Sequence, residues 1–503
     1  MTKTQKFFLL SLIPVLVLIL LLAFDVMVFS DNSSYGPNQI ALLIAAFVSG
    51  GIGLINGIQY KEIYKGIVES ISSAMGAIII LLLIGALAGT WLLSGVIPAM
   101  MYYGLDLMSP TYFLIATAVI CAVVSLATGS SWSTIATVGV ALLGIGQAFE
   151  IGSGWIAGAI ISGAYFGDKM SPLSDTTNLA PSIAGSDLFT HIKHMMWTTT
   201  PSFVIALVVF FIAGTSFDSE PSAERIEQMQ SLIHAKFNFG WWLILVPAAV
   251  VVLLVRKVSA IPALFIGTLV GGVFAIIFQQ DLMMELMESS GVAKRLTSKF
   301  GLSGSTHYLM GSFGVMINSM ALETAVNVPD ADVAKLLTGK GMNGMLNTVW
   351  LIICALTFGG VMQATGMLQS LANSILRLVK GIGGLIFGTA TTALLFNILA
   401  SDQYLAIVVP GKMFQKAYRD QGLAPENLSR VLEDSGTVTS VLVPWNTCGV
   451  AQSTILGIST GTYLVYCVFN YTSFFMTILF GFMRWKITKA APMVGSEGSI
   501  GVE

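Results

Sequence analysis

Long apolar stretches recur along this chain and limit what it can fold into. Eight of them are long enough to cross a bilayer as a helix, which needs about 20 predominantly apolar residues. The sequence of 503 residues is 55% hydrophobic and only 10% charged, whereas a soluble domain has about 25% charged residues. We therefore predict an all-α polytopic membrane protein, embedded in the lipid bilayer, with about ten to thirteen membrane segments. The eight stretches are 7–29, 38–58, 66–88, 198–216, 239–255, 260–279, 344–365 and 461–481.

The charges between these stretches predict the orientation of the chain. Lysine and arginine are enriched in the cytoplasmic loops of membrane proteins. Lys3 and Lys6 precede the first stretch, and Arg484, Lys486 and Lys489 follow the last. Both termini are therefore predicted to be cytoplasmic. The other loops alternate consistently, with Lys61, Lys65, His191, Lys193, His194, Arg256, Lys257, Arg377 and Lys380 inside, and Asp31, Asp218, Glu220, Glu224 and Glu227 outside.

A densely polar run, Gly167–Asn178, interrupts the apolar pattern. It contains two carboxylates, an ammonium group, several hydroxyl and amide side chains, and Pro172. Such a segment cannot face lipid, because its polar groups would find no partners there. It must line a cavity or bind something; a solvated loop between two spans is the alternative. About 40 residues separate Glu150 from His191, too many for one straight span. We predict a helix near 152–166, an unwound centre at 167–178 and a second helix near 179–190.

Two further apolar stretches have polar interruptions near their centres. Thr128–Trp132 interrupts 110–149, and Ser401–Gln403 interrupts 382–410. Each stretch begins and ends beside flanks of the same kind, so a single crossing does not fit the alternation of the loops. We predict two re-entrant hairpins of opposite orientation, with polar tips near the bilayer centre, where protein or water must satisfy the backbone.

The order of these features repeats after about 270 residues. Each hairpin tip is followed by an aspartate, Asp168 or Asp434, and then by a serine and an asparagine, Ser174 with Asn178 and Ser440 with Asn446. We predict two inverted-topology repeats with re-entrant hairpins and broken helices, an arrangement of secondary transporters; chance similarity between apolar segments is the alternative. The predicted divisions are N-terminal transmembrane helices at 1–60, a first repeat at 61–216, a connecting segment with two transmembrane helices and an amphipathic connector at 217–343, a second repeat at 344–483, and a cytoplasmic tail at 484–503.

The polar groups of both repeats are predicted to form one oxygen-rich site. Hard cations such as Na⁺ take oxygen ligands, and a partly desolvated carboxylate can exchange a proton for a cation near neutral pH. Asp168, Asp175 and Asp434 are therefore the predicted Na⁺ ligands, for which H⁺ competes. Lys169 is predicted to be a counter-charge or a second proton carrier; mere charge balance is the alternative. The other predicted site residues are Thr128, Ser130, Ser131, Ser171, Ser174, Thr176, Thr177, Asn178, Asp402, Glu433, Thr437, Ser440, Asn446 and Thr447.

Other function classes fit the sequence less well. A net charge of −2 argues against a nucleic-acid partner. The zinc-protease, serine-hydrolase and phosphate-loop motifs are absent, so neither enzyme activity nor a cofactor is predicted. A channel would need a continuous pore. An organic-anion carrier would need a cationic anchor, for which Lys169 is the one intramembrane candidate. The oligomeric state is left open.

Three segments of the sequence resemble the NhaC family of Na⁺/H⁺ antiporters. The longest is Phe166–Ala180, and the others are Ala127–Thr134 and Pro444–Thr447. The resemblance extends from about residue 40 to residue 480 and is most specific in the first segment. Members of this family are bacterial inner-membrane proteins, similar in plan to the larger ion-transporter superfamily with paired hairpins.

The resemblance implies a secondary active transporter that exchanges Na⁺, and as a further candidate Li⁺, for H⁺ by alternating access. Such a protein would serve pH and sodium homeostasis. One branch of the family exchanges malate and protons for lactate and Na⁺, and the motifs do not separate it from the other members. A Na⁺-coupled exchanger of small carboxylates is therefore the alternative function.

Overall fold

A nearly continuous succession of helices makes up the protein. The computed structural model describes residues 3–29, 33, 35–217, 223–301 and 303–490. Within these residues, nine helices are long and apolar enough to cross a membrane, and the bent pair Thr460–Tyr466 and Val468–Met483 is a tenth candidate. The predicted helical, polytopic character is confirmed. Asp31, Asp218, Glu220 and residues 491–503 of the predicted tail lie outside the described residues.

The first part of the chain, up to residue 217, contains eleven α-helices. A π-helical turn, Ile135–Gly139, joins the seventh to the eighth. The helices are α1 Lys3–Phe29, α2 Pro37–Ile55, α3 Tyr60–Ser73, α4 Met75–Leu93, α5 Val96–Leu107, α6 Pro110–Thr128, α7 Ser131–Thr134, α8 Val140–Ala148, α9 Ser153–Met170, α10 Asp175–Ala184 and α11 Leu188–Gly214.

The connecting region holds shorter helices and one small sheet. Strands β1 Thr324–Ala325 and β2 Thr338–Gly339 pair antiparallel, with Thr324 opposite Gly339. The helices are α12 Ala223–His234, the 3₁₀ turn Trp241–Ile244, α13 Leu245–Val255, α14 Ala260–Phe278, α15 Gln280–Ser289, α16 Val292–Phe300, α17 Gly304–Ala321 and α18 Ala331–Leu336.

The last part of the chain is again helical and contains three short irregular turns besides its α-helices. Its elements are the 3₁₀ turn Met342–Met345, α19 Leu346–Ala364, α20 Met367–Leu378, α21 Gly381–Leu399, α22 Gln403–Asp420, α23 Pro425–Leu432, the π-helical turn Glu433–Thr437, the 3₁₀ turn Ser440–Leu442, α24 Thr447–Leu456, α25 Thr460–Tyr463, the 3₁₀ turn Leu464–Tyr466 and α26 Val468–Met483.

The same series of helix lengths occurs twice. Helices α4, α5 and α6 have 19, 12 and 19 residues, and so do α19, α20 and α21. Met75 and Leu346, the first residues of α4 and α19, are 271 residues apart (346 − 75). Helices α10 and α24 have ten residues each. These bounds correct the predicted register, because they align Asp168 with Ser440, not with Asp434.

Helix breaks occur at all the predicted places, but they are short. The chain leaves the helical path at 129–130, 171–174, 400–402 and 443–446. The predicted unwound centre at 167–178 contracts to 171–174, because α9 continues to Met170. The predicted helix near 179–190 is wrong: α10 ends at Ala184, and α11 begins at Leu188 behind the N-cap residue Asp187.

The predicted span 66–88 is also interrupted. Ala74 separates the amphipathic helix α3 from the apolar helix α4. Lys65 and Glu69 form an exposed ion pair on α3, so the polar face of this helix is not enclosed. Helix breaks therefore also occur where the sequence has no conspicuous polar cluster.

Two glycines bring α9 against α6. A Cβ atom on Gly163 would lie 2.1 Å from the carbonyl oxygen of Ala118, and one on Gly167 would lie 2.2 Å from that of Ala122. Small residues allow membrane helices to approach this closely. The contact places the last turn of α9 beside the break that follows α6.

Candidate ion-binding site

Asp168 connects two of the helix breaks. It lies in the last turn of α9, and its side chain is 8% exposed. Its Oδ2 accepts hydrogen bonds from the hydroxyl group (2.6 Å) and the backbone N–H (3.2 Å) of Ser131, the first residue of α7. The Ser171 hydroxyl donates to the carbonyl oxygen of Leu126 at 2.8 Å. Asp168 and Ser171 therefore fix the tip after α6 to the end of α9.

Three of the predicted site residues hold the break at 171–174 itself. Ser174 is the N-cap of α10 and accepts the backbone N–H of Thr177. The Thr177 hydroxyl donates to the carbonyl oxygen of Lys169 at 3.0 Å, and the Asn178 amide donates to that of Ser174 at 2.7 Å. These contacts satisfy backbone groups that a helix end leaves open, so the three side chains have structural roles in this arrangement.

Side-chain caps also begin the helices after the breaks of the second half. Asp402 and Asn446 are the N-cap residues of α22 and α24 and accept backbone N–H groups of the first turns. The Asn446 amide donates to Oδ1 of Asn397 at 3.1 Å. The backbone N–H of Thr447 donates to the carbonyl oxygen of Ser401 at 3.0 Å. The two breaks of this half are therefore bound to each other.

A cavity of about 760 Å³ reaches the breaks of both halves. Three aspartates line it: Asp168, the exposed Asp175, and Asp402. Lys257 is the one basic side chain among the described lining residues. The fold thus brings Asp402, from the second half, to the two aspartates of the first. The hydroxyl side chains in the lining belong to Ser73, Thr128, Ser130, Ser174, Thr176, Ser259, Tyr404 and Thr447.

Asp434 does not line this cavity but forms a buried ion pair with Lys169, and both side chains are completely buried. The Lys169 ammonium also donates to the Ser473 hydroxyl at 2.9 Å, and Oδ2 of Asp434 accepts from the Thr198 hydroxyl at 2.8 Å. The structure corrects the prediction that Asp434 is a Na⁺ ligand, because an ammonium and hydroxyl groups already surround its oxygens. Lys169 fits the predicted role of counter-charge.

Glu433, Thr437 and Ser440 are fully buried and do not appear in the cavity lining. The Ser440 hydroxyl donates to the carbonyl oxygen of Thr437 at 2.7 Å. Neither carboxyl oxygen of Glu433 has a hydrogen-bond partner among the described residues. The predicted site therefore divides into a cavity and a buried polar cluster that includes the Lys169–Asp434 pair.

Sequence reasoning missed several polar contacts on helices that look ordinary. Thr198 and Ser473 lie in predicted apolar spans; the threonine triplet that begins at Thr198 was the available signal for the first, and none marked the second. His191 and His194, predicted to lie in a basic cytoplasmic cap, are 0% and 8% exposed. The Nδ1 atom of His191 lies 2.8 Å from the Ser429 hydroxyl. A polar pair one helical turn apart can thus face the protein interior.

Comparison with known protein families decides the affiliation of the chain. The family model described as the Na⁺/H⁺ antiporter family matches residues 163–485. This range is more than half of the chain and runs from α9, which carries Asp168, to the end of α26. The chain belongs to the Na⁺/H⁺ antiporter family. The resemblance of the sequence motifs to this family is confirmed.

Individual antiporters match nearly the whole chain. The Na⁺/H⁺ antiporter NhaC of Alkalihalophilus pseudofirmus is 35% identical over 460 residues, which cover 92% of this chain and 93% of that one. The malate-2H⁺/Na⁺-lactate antiporter of Bacillus subtilis is 32% identical over 447 residues, 89% of each chain. A solved structure of Neisseria gonorrhoeae MtrF, 12% identical, covers 88% of this chain and 94% of that one with a TM-score of 0.39, which is too low to support an argument.

Proposed function

We propose that this protein is a secondary active transporter that exchanges Na⁺ for H⁺ by alternating access, and that its cavity holds the Na⁺. The observation that carries the proposal is the convergence of Asp168, Asp175 and Asp402 on one open cavity at the helix breaks. Membership of the Na⁺/H⁺ antiporter family supports the same reaction.

The chemistry of the cavity suits a hard cation. Na⁺ takes carboxylate, hydroxyl and carbonyl oxygens, and the lining supplies carboxylates together with the hydroxyls of Thr128, Ser130 and Thr176. Broken helices add carbonyl groups at their carboxyl ends, where the helix dipole favours a cation. We assign the Na⁺ contacts to Asp168 and Asp175 with these hydroxyls.

Competition between Na⁺ and H⁺ for the same carboxylates is sufficient to couple their movements. A protonated carboxylic acid has lost the charge that attracts Na⁺, so the cavity holds one or the other. If only the loaded states change access, Na⁺ moves one way for H⁺ moving the other. Asp168 is suited to this switch, because it is mostly buried and bound to the tip of α7.

The charge of the cavity argues against the alternative, a malate and lactate exchanger. Three carboxylates and one ammonium group, that of Lys257, line the cavity, so a dicarboxylate would meet net repulsion. Arginine, the usual bidentate partner of carboxylates, is absent from the described lining. The lining therefore favours a cation as the bound species.

The architecture that we propose for alternating access has two inverted-topology repeats. The matching lengths of α4–α6 and α19–α21 support a repeat. We propose in addition that the α6–α8 and α21–α22 segments are re-entrant hairpins of opposite orientation. The lysine and arginine distribution supports placing both termini in the cytoplasm of a bacterial cell, with the protein in the inner membrane.

Reconstitution of the purified protein into liposomes with an imposed pH gradient tests the function. A pH-sensitive dye reports proton movement after addition of Na⁺, Li⁺, K⁺, malate or lactate, and protein-free liposomes are the control. We expect Na⁺ alone to dissipate the gradient, Li⁺ to act as a second cation, and K⁺ to have no effect. A response that requires malate or lactate would contradict the proposal and favour the carboxylate exchanger.

A further inference from the structure

One buried carboxyl group has no partner. Glu433 begins the π-helical turn after α23, and its side chain is completely buried. Neither of its Oε atoms has a hydrogen-bond partner among the described residues, and the hydroxyl group of Thr437, at the other end of the turn, has none either. Native proteins rarely bury polar groups in this way, and π-helical turns occur frequently at functional sites.

The missing partners decide which form of Glu433 this arrangement can hold. A charge removed from water is stable only when it is paired and hydrogen-bonded, whereas a neutral polar group costs much less to bury. A bare carboxylate would therefore be strongly disfavoured here. The Glu433 side chain is held as the neutral carboxylic acid, so it carries a proton.

The neighbouring charges offer a way to release that proton. Lys169, Asp168 and Asp434 all act electrostatically on Glu433, but the Lys169 ammonium is engaged by Asp434. Asp434 also accepts from the Thr198 hydroxyl at 2.8 Å and from the Ser473 hydroxyl at 3.3 Å. Those two hydroxyls can hold Asp434 if the ammonium turns to the adjacent carboxyl group.

Other titratable groups lie on the helices packed against this turn, and they complete its electrostatic surroundings. They are Asp175 on α10; His191, Lys193 and His194 on α11; Tyr404, Lys412, Lys416, Tyr418, Arg419 and Asp420 on α22; Glu426 and Arg430 on α23; and Tyr471 on α26.

We propose that Glu433 is a second proton-binding site of the exchange cycle, separate from the cation cavity; this rests on the proposed Na⁺/H⁺ exchange. In the arrangement described here the site is loaded. When the Lys169 ammonium moves from Asp434 to Glu433, the O–H bond of the carboxylic acid breaks, the proton leaves to water, and the carboxylate is paired with the ammonium. No other bond changes. The cycle then moves one proton more per Na⁺ than the cavity alone would move.

Parallel flux measurements on E433Q test this site. Glutamine keeps the size of the side chain but cannot release a proton. In proteoliposomes, H⁺ flux and ²²Na⁺ flux are measured in the same preparation, and ²²Na⁺/Na⁺ exchange without a pH gradient serves as a measure of intact cation binding. E426Q, the same substitution on the buried Glu426 of α23, is the matched control.

We expect E433Q to keep ²²Na⁺/Na⁺ exchange within twofold of the wild type, while the number of H⁺ moved per Na⁺ falls by one. E426Q should leave the ratio unchanged. An unchanged ratio in E433Q would overturn the proposal, and so would loss of ²²Na⁺/Na⁺ exchange in a monodisperse protein. A wild type without Na⁺-dependent H⁺ flux would instead refute the proposed function.

If E433Q is not monodisperse in detergent, E433D takes its place. We expect E433D to keep the wild-type ratio and to shift the infrared carbonyl band of a protonated carboxylic acid, because the acid moves by one methylene group. A wild-type protein without such a band, or a band that E433D leaves unmoved, would overturn the proposal.

Discussion

Lys169 stands beside Asp168 in the chain, yet its charge is compensated by Asp434, 265 residues away. Successive residues of an α-helix point in directions about 100° apart, so adjacent side chains at the end of α9 face different neighbours. Asp168 faces the tip of α7, and Lys169 faces α26 and the π-helical turn. The motif predicted that both residues matter. It could not predict this division, because the partners come from distant parts of the chain.

The buried Lys169–Asp434 pair makes a prediction about stability. Asp434→Leu leaves an unpaired ammonium in the protein interior, so we expect the free energy of unfolding to fall by about 3–5 kcal/mol. The double variant Lys169→Met with Asp434→Leu removes both charges and should recover most of this loss. Thermal unfolding of the purified variants in detergent measures the difference.

The exposed pair of Lys65 and Glu69 supplies the control. Lys65→Met should change stability by less than about 1 kcal/mol, because solvent-exposed ion pairs contribute little. Equal destabilisation of the single Asp434 variant and the double variant would show that the buried pair is not what holds this region.

At the scale of the elements, the sequence predicted the breaks better than the helices around them. Polar clusters in apolar stretches mark places where a lipid-facing helix cannot continue. The ends of the breaks are set by caps, such as Ser174 and Asn446, so they cannot be placed from hydropathy alone. The repeat register was wrong for a similar reason: aspartates were matched to each other, whereas helix lengths align Asp168 with Ser440.

The close contact of α6 with α9 predicts a large effect of a small substitution. A Cβ atom on Gly163 would lie 2.1 Å from a backbone oxygen of α6, so Gly163→Ala must push the helices apart. We expect a loss of about 1–3 kcal/mol in stability. We also expect exchange to slow by at least about tenfold, because Asp168 is displaced from Ser131. Thermal unfolding and dye-based transport assays measure the two effects.

Gly51→Ala on α2 is the matched control. No heavy atom lies within 4 Å of a Cβ atom built there, and alanine is favoured over glycine in a helix by up to about 1 kcal/mol. This variant should therefore be at least as stable as the wild type and transport normally. Similar behaviour of the two alanine variants would refute the packing argument.

At the scale of the molecule, the cavity joins the two halves of the chain. The membrane architecture and the family could be predicted, since apolar stretches and a long motif are local features of a sequence. Which carboxylates share a cavity could not, because that depends on how the halves pack. Asp402 comes to lie with Asp168 and Asp175, whereas Asp434 lies in the buried cluster with Lys169.

The substitution Asp168→Asn, followed by ²²Na⁺ and H⁺ flux in proteoliposomes, tests the central claim most directly. Asparagine keeps the shape of the side chain but removes the charge that Na⁺ and H⁺ would share. Asp420→Asn, on the exposed end of α22, is the matched control. We expect Asp168→Asn to insert and fold but to show only the flux of protein-free liposomes, with Asp420→Asn at the wild-type rate. Exchange at the wild-type rate in Asp168→Asn would contradict the account.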